Sequence, residues 1–247
     1  PGTVMEGHML DEKENNYLAS LTGFEDGSYT VAYNDLTTGE NSIALITDGW
    51  GAVLSELYNR PVKEIVIASD LAESCQQDLK ERLAYTISYQ DDETIEAPFS
   101  SLLESIQQEK YKIGFVRWLN YIQHTQKRSL DHLQPVQKIE LKQHMNLDMY
   151  SKRNLELMET LRKQGKTGSL LWVVDDTVTS MGARQLKKWL ERPLLDRREI
   201  EARHQQVSGF LDQFFEREEL REQLKSVYDL ERLSGRISFG NVNARDL

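Results

Sequence analysis

The chain has 247 residues, of which 39% are hydrophobic and 28% charged, and its formal net charge at pH 7 is −10. This length and composition predict a folded protein with a sizeable core and allow two domains. The apolar runs are far shorter than the roughly 18 residues that indicate a membrane span, and no signal-peptide pattern is visible. The single cysteine, Cys75, excludes an internal disulfide framework, so we expect a cytoplasmic, reducing compartment.

The charge is unevenly distributed along the chain. Residues 1–136 carry 10 Lys and Arg against 22 Asp and Glu, a net charge of −12. Residues 137–247 carry 20 against 18, a net charge of +2. Because an acidic surface repels the phosphate backbone of DNA, we expect little or no direct DNA binding by the first half, and two units with different partners.

The first half of the chain shows an initial hairpin pattern and then alternating strands and helices. After a polar entry linker at 1–15, strands are predicted at 17–22, 29–34 and 41–46, with turns between them. Helices are then predicted at 50–58, 76–83, 101–108 and 111–125, and strands at 64–68 and 86–89. Three hairpin strands followed by such alternation are the element order of the ribonuclease H-like fold. We therefore predict an α/β domain at 16–125.

The second half is predicted to be helical. A polar segment that contains a proline, residues 126–136, predicts a linker between domains. Beyond it Asp148 is predicted to cap a helix that runs to about Arg162 and Asp229 to cap a later one, and no strand is predicted after residue 147. A new helix pattern starts at Asn243 and stops at once. We therefore expect residues 137–247 to form an all-α unit that is truncated.

One stretch, residues 168–196, combines an apolar run with a hydroxyl-rich turn and a helix. Thr177, Thr179 and Ser180 carry short hydroxyls that are predicted to bond free backbone N–H groups at the helix start. Gly182 has no Cβ and would allow another backbone to approach. Trp189 lies on the apolar stripe of this helix and is expected in the core. Pro193 is expected to end the helix, because proline disfavours a helical residue before it.

A spaced set of residues runs through the same stretch: Leu170, Leu171, Trp172, Asp175, Thr177, Thr179, Met181, Gly182, Arg184, Leu186, Lys187, Trp189, Leu190, Pro193, Leu194 and Asp196. This pattern resembles the start of the core, or lever, domain of the MutS family of DNA mismatch repair proteins. The segments 153–157 and 229–233 are similar to the same family. Near the start of the chain, Pro1-Gly2-Thr3 and Asn16-Tyr17-Leu18 resemble the joint before its connector domain.

The resemblance implies a ribonuclease H-like connector domain followed by a truncated helical lever domain. It implies that the whole family protein is a homodimer that binds mismatched duplex DNA, hydrolyses ATP with Mg and recruits a MutL-type partner. By the family's layout, the residues that contact the mismatch or hydrolyse ATP lie elsewhere. For this chain we therefore expect no catalytic residue, no metal or cofactor site, and a structural, allosteric role.

Acidic residues surround an apolar strip in the region 91–104. The predicted partner-binding residues are Asp91, Asp92, Glu93, Glu96, Phe99 and Leu102. Charged rims around an apolar centre steer and then hold a partner, and the resemblance implies that the connector domain docks MutL. The alternative is that Phe99 and Leu102 close the domain's own core.

A basic cluster in the second half is a candidate for contact with DNA phosphate. It consists of Lys187, Lys188, Arg197 and Arg198. Basic side chains at such positions bind phosphate oxygens, although solvated helix faces carry similar charges routinely. We therefore expect phosphate contact by these four residues, with an ordinary solvated helix face as the alternative.

Two enzyme classes can be tested against the pattern. Gly165-Lys166-Thr167 lacks the glycine five residues earlier and the preceding strand that a phosphate loop requires. A two-metal nuclease needs clustered carboxylates; Glu56 and Asp70 are suitably placed, but the first strand carries no acid. A nuclease of ribonuclease H-like fold and an autonomous protein-binding scaffold remain the alternatives to the structural role.

Overall fold

The computed structural model describes residues 11–60, 62–94, 97–126, 130–162, 165–240 and 242. Within these residues the chain forms two compact units. The first contains Asn15–Ile139 and the C-terminal residues from Glu231, and the second contains Glu12–Glu14 and Glu140–Leu230. None of the described helices is both long and apolar enough to cross a membrane.

The first unit is built on a mixed sheet. Its strands are β1 (Tyr17–Gly23), β2 (Tyr29–Asp35), β3 (Glu40–Ile46), β4 (Glu64–Ile67), β5 (Thr86–Tyr89) and β6 (Gln137–Lys138). The strand order is β5-β4-β1-β2-β3-β6. The pairs β1–β2 and β2–β3 are antiparallel, whereas β4, β5 and β6 pair in parallel with β1, β4 and β3. The predicted strands and hairpin turns of the first half are confirmed.

Among the described residues, the helices between β3 and β6 are α1 (Trp50–Asn59), α2 (Glu73–Glu81) and α3 (Glu109–Gln126). A 3-10 helix, Ala97–Leu103, precedes α3. The aromatic side chains of Phe115 and Trp118 on α3 are fully buried in the core that α3 forms with the sheet. A Cβ on Gly114 would overlap the hydroxyl of Thr30, so glycine at this position allows α3 to lie close to β2.

The second unit is helical. It contains α4 (Met149–Asn154), α5 (Leu170–Val174), α6 (Ser180–Glu191), α7 (Arg197–Asp212) and α8 (Phe214–Leu224). Asp148 caps α4 as predicted, because its carboxylate accepts hydrogen bonds from Tyr150 N and Ser151 N. The predicted extension to Arg162 is wrong. The helix ends at Asn154, and Glu156 adopts a left-handed backbone conformation with φ 48°.

The segment predicted as a linker packs into the first unit. In its described part, Leu130, Leu133 and Val136 are buried in the hydrophobic core. Val136 N donates to Leu102 O at 3.0 Å and Gln134 N donates to Gly39 O at 2.9 Å. The polar composition of this segment suggested exposure, but its apolar side chains recur at every third position and are buried.

The last helix, α9 (Leu230–Ser238), also differs from the predicted division, because residues from Glu231 onward belong to the first unit. A Cβ on Gly235 would lie 2.5 Å from the carbonyl oxygen of Thr37, so the backbone of α9 lies directly against the β2–β3 turn. The ring of Phe239 packs edge-on against His132, with centroids 5.2 Å apart. These contacts join distant segments, which a local pattern does not reveal.

We predict that Gly39→Ala destabilises the first unit far more than Gly27→Ala. Both glycines have a positive φ, 76° at Gly39 and 77° at Gly27. Both substitutions therefore cost about 1–2 kcal/mol in backbone strain. At Gly39 the new Cβ would also overlap the carbonyl oxygen of His132, whereas nothing lies within 4 Å of Gly27. We expect about 3 kcal/mol or more for Gly39→Ala in urea unfolding. Equal losses would show that the close packing at Gly39 contributes nothing.

Candidate functional sites

The first candidate site is the acidic loop, residues 90–94, which directly follows β5. The Asp91 carboxylate accepts hydrogen bonds from Ser69 N at 2.8 Å and Ser69 Oγ at 2.7 Å. The Asp92 carboxylate accepts from Thr94 Oγ1 at 2.7 Å and Thr94 N at 2.8 Å. These hydrogen bonds lower the pKa of both carboxyl groups below the usual value, so both remain charged at neutral pH.

Arg117 on α3 holds the acidic loop through contacts with Gln90 and Glu93. Its side chain is 3% exposed, and its Nη2 lies 2.7 Å from Glu93 Oε1. Its Nε donates to Thr22 Oγ1 at 2.9 Å, and its Nη1 donates to the carbonyl oxygen of Gln90. A buried guanidinium needs such partners. The charge of Glu93 is therefore already compensated within the chain.

Asn120 provides a second attachment, one turn further along α3. Its Nδ2 donates to the carbonyl oxygens of Asp92 and Thr94, both at 2.9 Å. Side-chain bonds to loop carbonyls restrict the loop's conformations and reduce the entropy lost on binding. The acidic loop consequently presents the exposed carboxylates of Asp91 and Asp92 on a fixed backbone.

The apolar part of the predicted partner surface does not lie at the surface. Leu102 is 8% exposed and belongs to the hydrophobic core, and the half-buried Phe99 packs against that core. The prediction of Leu102 as a partner-binding residue is therefore wrong, and the core alternative describes it. Its side chain is buried because the 3-10 helix turns it toward the sheet and α3. Glu96 lies outside the described residues.

The second candidate site is the start of α6. Of the three hydroxyl residues predicted for this helix start, Thr179 is the cap, since its Oγ1 accepts a hydrogen bond from Gly182 N at 3.0 Å. A Cβ on Gly182 would lie 3.0 Å from Thr179 Oγ1 and 3.6 Å from Thr177 Cβ. The expectation of a close approach by another backbone is therefore wrong: Gly182 makes room for side chains of its own turn.

Arg184 forms the main electrostatic contact of the second unit. The residue is 2% exposed, and Nη1 and Nη2 donate to the two carboxylate oxygens of Asp229 at 2.7 and 2.8 Å. Nη1 also donates to the carbonyl oxygen of Glu12 at 2.9 Å. Two parallel bonds to one carboxylate are the geometry that a guanidinium favours. Reasoning from sequence missed this pair, because Asp229 was assigned only to helix capping.

Trp189 and Pro193 lie at the other end of α6. Trp189 is 43% exposed, and the Arg203 guanidinium lies 4.1 Å from the centre of its ring. The expectation that its indole lies in the core is therefore wrong, because nearly half of the residue is exposed. Helix α6 ends at Glu191, before Pro193 as predicted, and the Pro193 carbonyl oxygen accepts a hydrogen bond from Met145 N at 2.8 Å.

The four predicted phosphate-binding residues lie on two helices. Lys187 Nζ lies 3.5 Å from Glu14 Oε1, and Arg197 Nε lies 2.7 Å from Glu201 Oε1. At least these two members of the predicted basic cluster therefore pair with a carboxylate within the chain. Lys188 is half-buried on α6, and Arg198 is exposed in the first turn of α7. Contact of the four with DNA phosphate stays a prediction.

The described residues do not assemble either enzyme site. Gly165-Lys166-Thr167 lies in a turn before α5, and Lys166 Nζ lies 2.7 Å from Glu14 Oε1. Within the described part of the chain, no three His, Cys, Asp or Glu side chains are grouped to hold a metal ion. On β1, where the nuclease hypothesis would need an acid, the buried Ser20 uses its hydroxyl to donate a hydrogen bond to Gly114 O at 2.7 Å.

We predict that Asp229→Ala destabilises the second unit by about 3–5 kcal/mol, because it leaves the buried Arg184 guanidinium without its carboxylate. Arg184→Met combined with Asp229→Leu should recover much of this loss, since it also removes the charge. The control is Asp176→Ala: Asp176 pairs with Arg221 and is 90% exposed, so we expect less than about 1 kcal/mol. Guanidinium unfolding measures all three. Equal losses in the two alanine variants would contradict a structural role for the buried pair.

Trp189→Ala should cost only about 1–2 kcal/mol, because a half-exposed indole loses less burial and one cation–π contact. Trp118, which is fully buried in the first unit, serves as the comparison, with an expected loss of about 3–5 kcal/mol on truncation to alanine. The measurement is the change in unfolding midpoint for each variant. A loss at Trp189 as large as that at Trp118 would indicate a buried environment for the indole in solution.

Two protein-family models match this chain, one in its first half and one in its second half. The family model described as MutS domain II matches residues 16–134, and the one described as MutS domain III matches residues 151–247. Proteins described as DNA mismatch repair protein MutS from Oceanobacillus iheyensis, Geobacillus sp. (strain WCH70) and Bacillus mycoides are 64%, 57% and 53% identical over all 247 residues. The chain spans 28%, 29% and 28% of their lengths. With both regions matched and the whole chain aligned, the chain belongs to the MutS family of DNA mismatch repair proteins.

Proposed function

We propose that this chain is a structural and allosteric part of a DNA mismatch recognition protein. Its first unit acts as the connector domain, and its second unit begins the lever that links the mismatch-binding end to the ATPase end. Family membership supports this role, because the two matched regions are MutS domains II and III. The whole protein would bind mismatched duplex DNA as a homodimer and use ATP with Mg. This chain would contribute no catalytic group.

The sheet supports a ribonuclease H-like connector. An antiparallel β1–β2–β3 meander is extended on the other side of β1 by the parallel strands β4 and β5. This order combines a hairpin-rich half with a parallel half, as that fold requires. A fold of this kind carries many functions, so the proposed role depends on the surface of the unit and not on its topology.

The observation that carries the docking role is the fixed acidic loop. Asp91 and Asp92 are exposed and charged, while Arg117 and Asn120 hold the loop backbone. Preorganised charge speeds the encounter with a partner of opposite charge and reduces the ordering cost of binding. We therefore propose that this loop forms part of the surface that docks a MutL-type partner.

The lever role is supported by the internal contacts of the second unit. The Thr179 cap defines where α6 begins, and the Arg184–Asp229 pair joins α6 to a residue 45 positions later. Buried ion pairs tolerate little displacement, because separation leaves a desolvated charge. A unit held in this way transmits a displacement at one end as movement of the whole element.

We predict that Asp91→Asn combined with Asp92→Asn weakens binding of a MutL-type protein by about tenfold at low salt, and much less at high salt, because salt screens exposed charge. At position 92 the asparagine oxygen can accept both bonds from Thr94, and at position 91 it can accept the bond from Ser69 N while its Nδ2 donates to Ser69 Oγ, so the loop should hold its shape. Glu93 is left unchanged because it compensates Arg117. Binding is measured by biolayer interferometry over a salt series.

The matched control removes two exposed acids elsewhere in the first unit, through Glu25→Gln and Glu104→Gln. It changes the net charge equally and should leave affinity within about twofold of the unmodified chain. If both double variants lose the same affinity, net charge and not the acidic loop drives binding. If neither loses any, the docking role of Asp91 and Asp92 is refuted.

A further inference from the structure

Strand β5 lies at one edge of the sheet, and within the described parts of the chain β4 is the strand that pairs with it. Thr86 N donates to Lys63 O at 3.1 Å, and Gln90 N donates to Ile67 O at 3.0 Å. Since backbone groups alternate in direction along a strand, residues 86, 88 and 90 face β4. The N–H and C=O groups of Ile87 and Tyr89 therefore point away from the sheet, and no described residue pairs with them.

The two edges of this sheet differ in how they are protected. Edge strands are commonly blocked by lysine, proline or a bulge. At the opposite edge, β6 is two residues long, contains Lys138 and follows Pro135 closely. The sequence of β5 is Thr-Ile-Ser-Tyr, without charge or proline, and Tyr89 is 50% exposed. The β5 edge is thus open to a further strand.

The acidic loop begins where this open edge ends. Asp91 and Asp92 follow β5 within three residues, and residues 1–136 carry a net charge of −12. A segment that continues past the end of β5 would pass near this loop, where the exposed Asp91 carboxylate bonds to Ser69 and the exposed Asp92 carboxylate bonds to Thr94. Positively charged side chains there would gain attraction, and negatively charged ones would be repelled.

We propose that the β5 edge binds an extended, basic segment of a partner protein as an additional strand. Backbone hydrogen bonds to Ile87 and Tyr89 would hold the segment, and Asp91 and Asp92 would select lysine or arginine in it. The inference deepens the docking role proposed above. It rests on that role only for the identity of the partner as a MutL-type protein.

Other occupants fit this edge less well. A helix offers its backbone groups to itself, so it cannot pair with a strand edge. DNA is repelled by the net negative charge of the unit. A second copy of β5, with the sequence Thr-Ile-Ser-Tyr, contains no lysine or arginine to attract Asp91 and Asp92. An extended basic segment satisfies both the open hydrogen bonds and the charge.

Hydrogen–deuterium exchange tests the pairing directly. The amides of Ile87 and Tyr89 should exchange at least about tenfold more slowly when a MutL-type protein is bound, because pairing protects an amide. A synthetic peptide of alternating lysine and valine serves as a second probe that does not depend on the partner's identity. The control peptide alternates glutamate and valine and should protect these amides much less.

A backbone substitution provides an independent arm. Tyr89→Pro removes an outward N–H while leaving the bonds of residues 86, 88 and 90 to β4 in place. Tyr89→Ala removes the same side chain but keeps the N–H, so it is the matched control. We expect the proline variant to bind the lysine–valine peptide about tenfold more weakly than the alanine variant. Exchange of the Ile65 and Ile67 amides reports whether the sheet remains folded in each variant.

The outcomes separate the two proposals. Protection of Ile87 and Tyr89 by the basic peptide but not by the MutL-type protein supports the open edge and refutes that partner. Binding of the MutL-type protein with neither probe protecting these amides overturns the edge inference and leaves the docking role standing. Equal protection by the basic and acidic peptides overturns the proposed selection by Asp91 and Asp92. If the proline variant unfolds, the exchange of the unmodified chain decides.

Discussion

The first unit depends on how closely α3 can lie against the sheet. Gly114 permits this approach beside Thr30, and the Ser20 hydroxyl bonds to the Gly114 carbonyl from β1. One turn further along, Arg117 and Asn120 can then reach past the strands to the loop after β5. A larger residue at 114 would displace α3, and with it the groups that hold the acidic loop. A packing constraint within the core therefore determines the geometry of a surface feature.

The acidic loop and the β5 edge together illustrate how a small surface gains specificity. The carboxylates alone would attract any cationic molecule, and the strand edge alone would accept many extended chains. Their adjacency requires both an extended backbone and positive charge from the same ligand. Because Glu93 is compensated by Arg117, the charge that remains for recognition is concentrated on Asp91 and Asp92. In the proposed docking surface, recognition would then depend on two neighbouring residues held in one conformation.

Much of the fold could be predicted from local pattern, and the failures share one cause. Alternation located β1, β2 and β3, and short polar side chains identified the Asp148 and Thr179 caps, because these signals act within a few residues. The burial of Leu130 and Leu133, the exposure of Trp189 and the pairing of Arg184 with Asp229 depend on residues far along the chain. An apolar stripe indicates which face of a helix will be buried, but it does not identify the element that packs against that face. Family resemblance supplied the identity, and coordinates were needed to distinguish Leu102 in the core from Asp91 at the surface.

The Arg184–Asp229 pair also constrains the order in which the second unit can mature during synthesis. Asp229 is 45 residues downstream of Arg184, and ribosomes add about 5–20 residues per second. The Asp229 carboxylate therefore joins the pair only some seconds after Arg184 emerges, and burying the guanidinium before Asp229 arrives would be costly. Helix α6 can form early, but its final packing must wait for translation to reach the residue just before α9. Until then a nascent second unit exposes a charged helix face and stays open to chaperones.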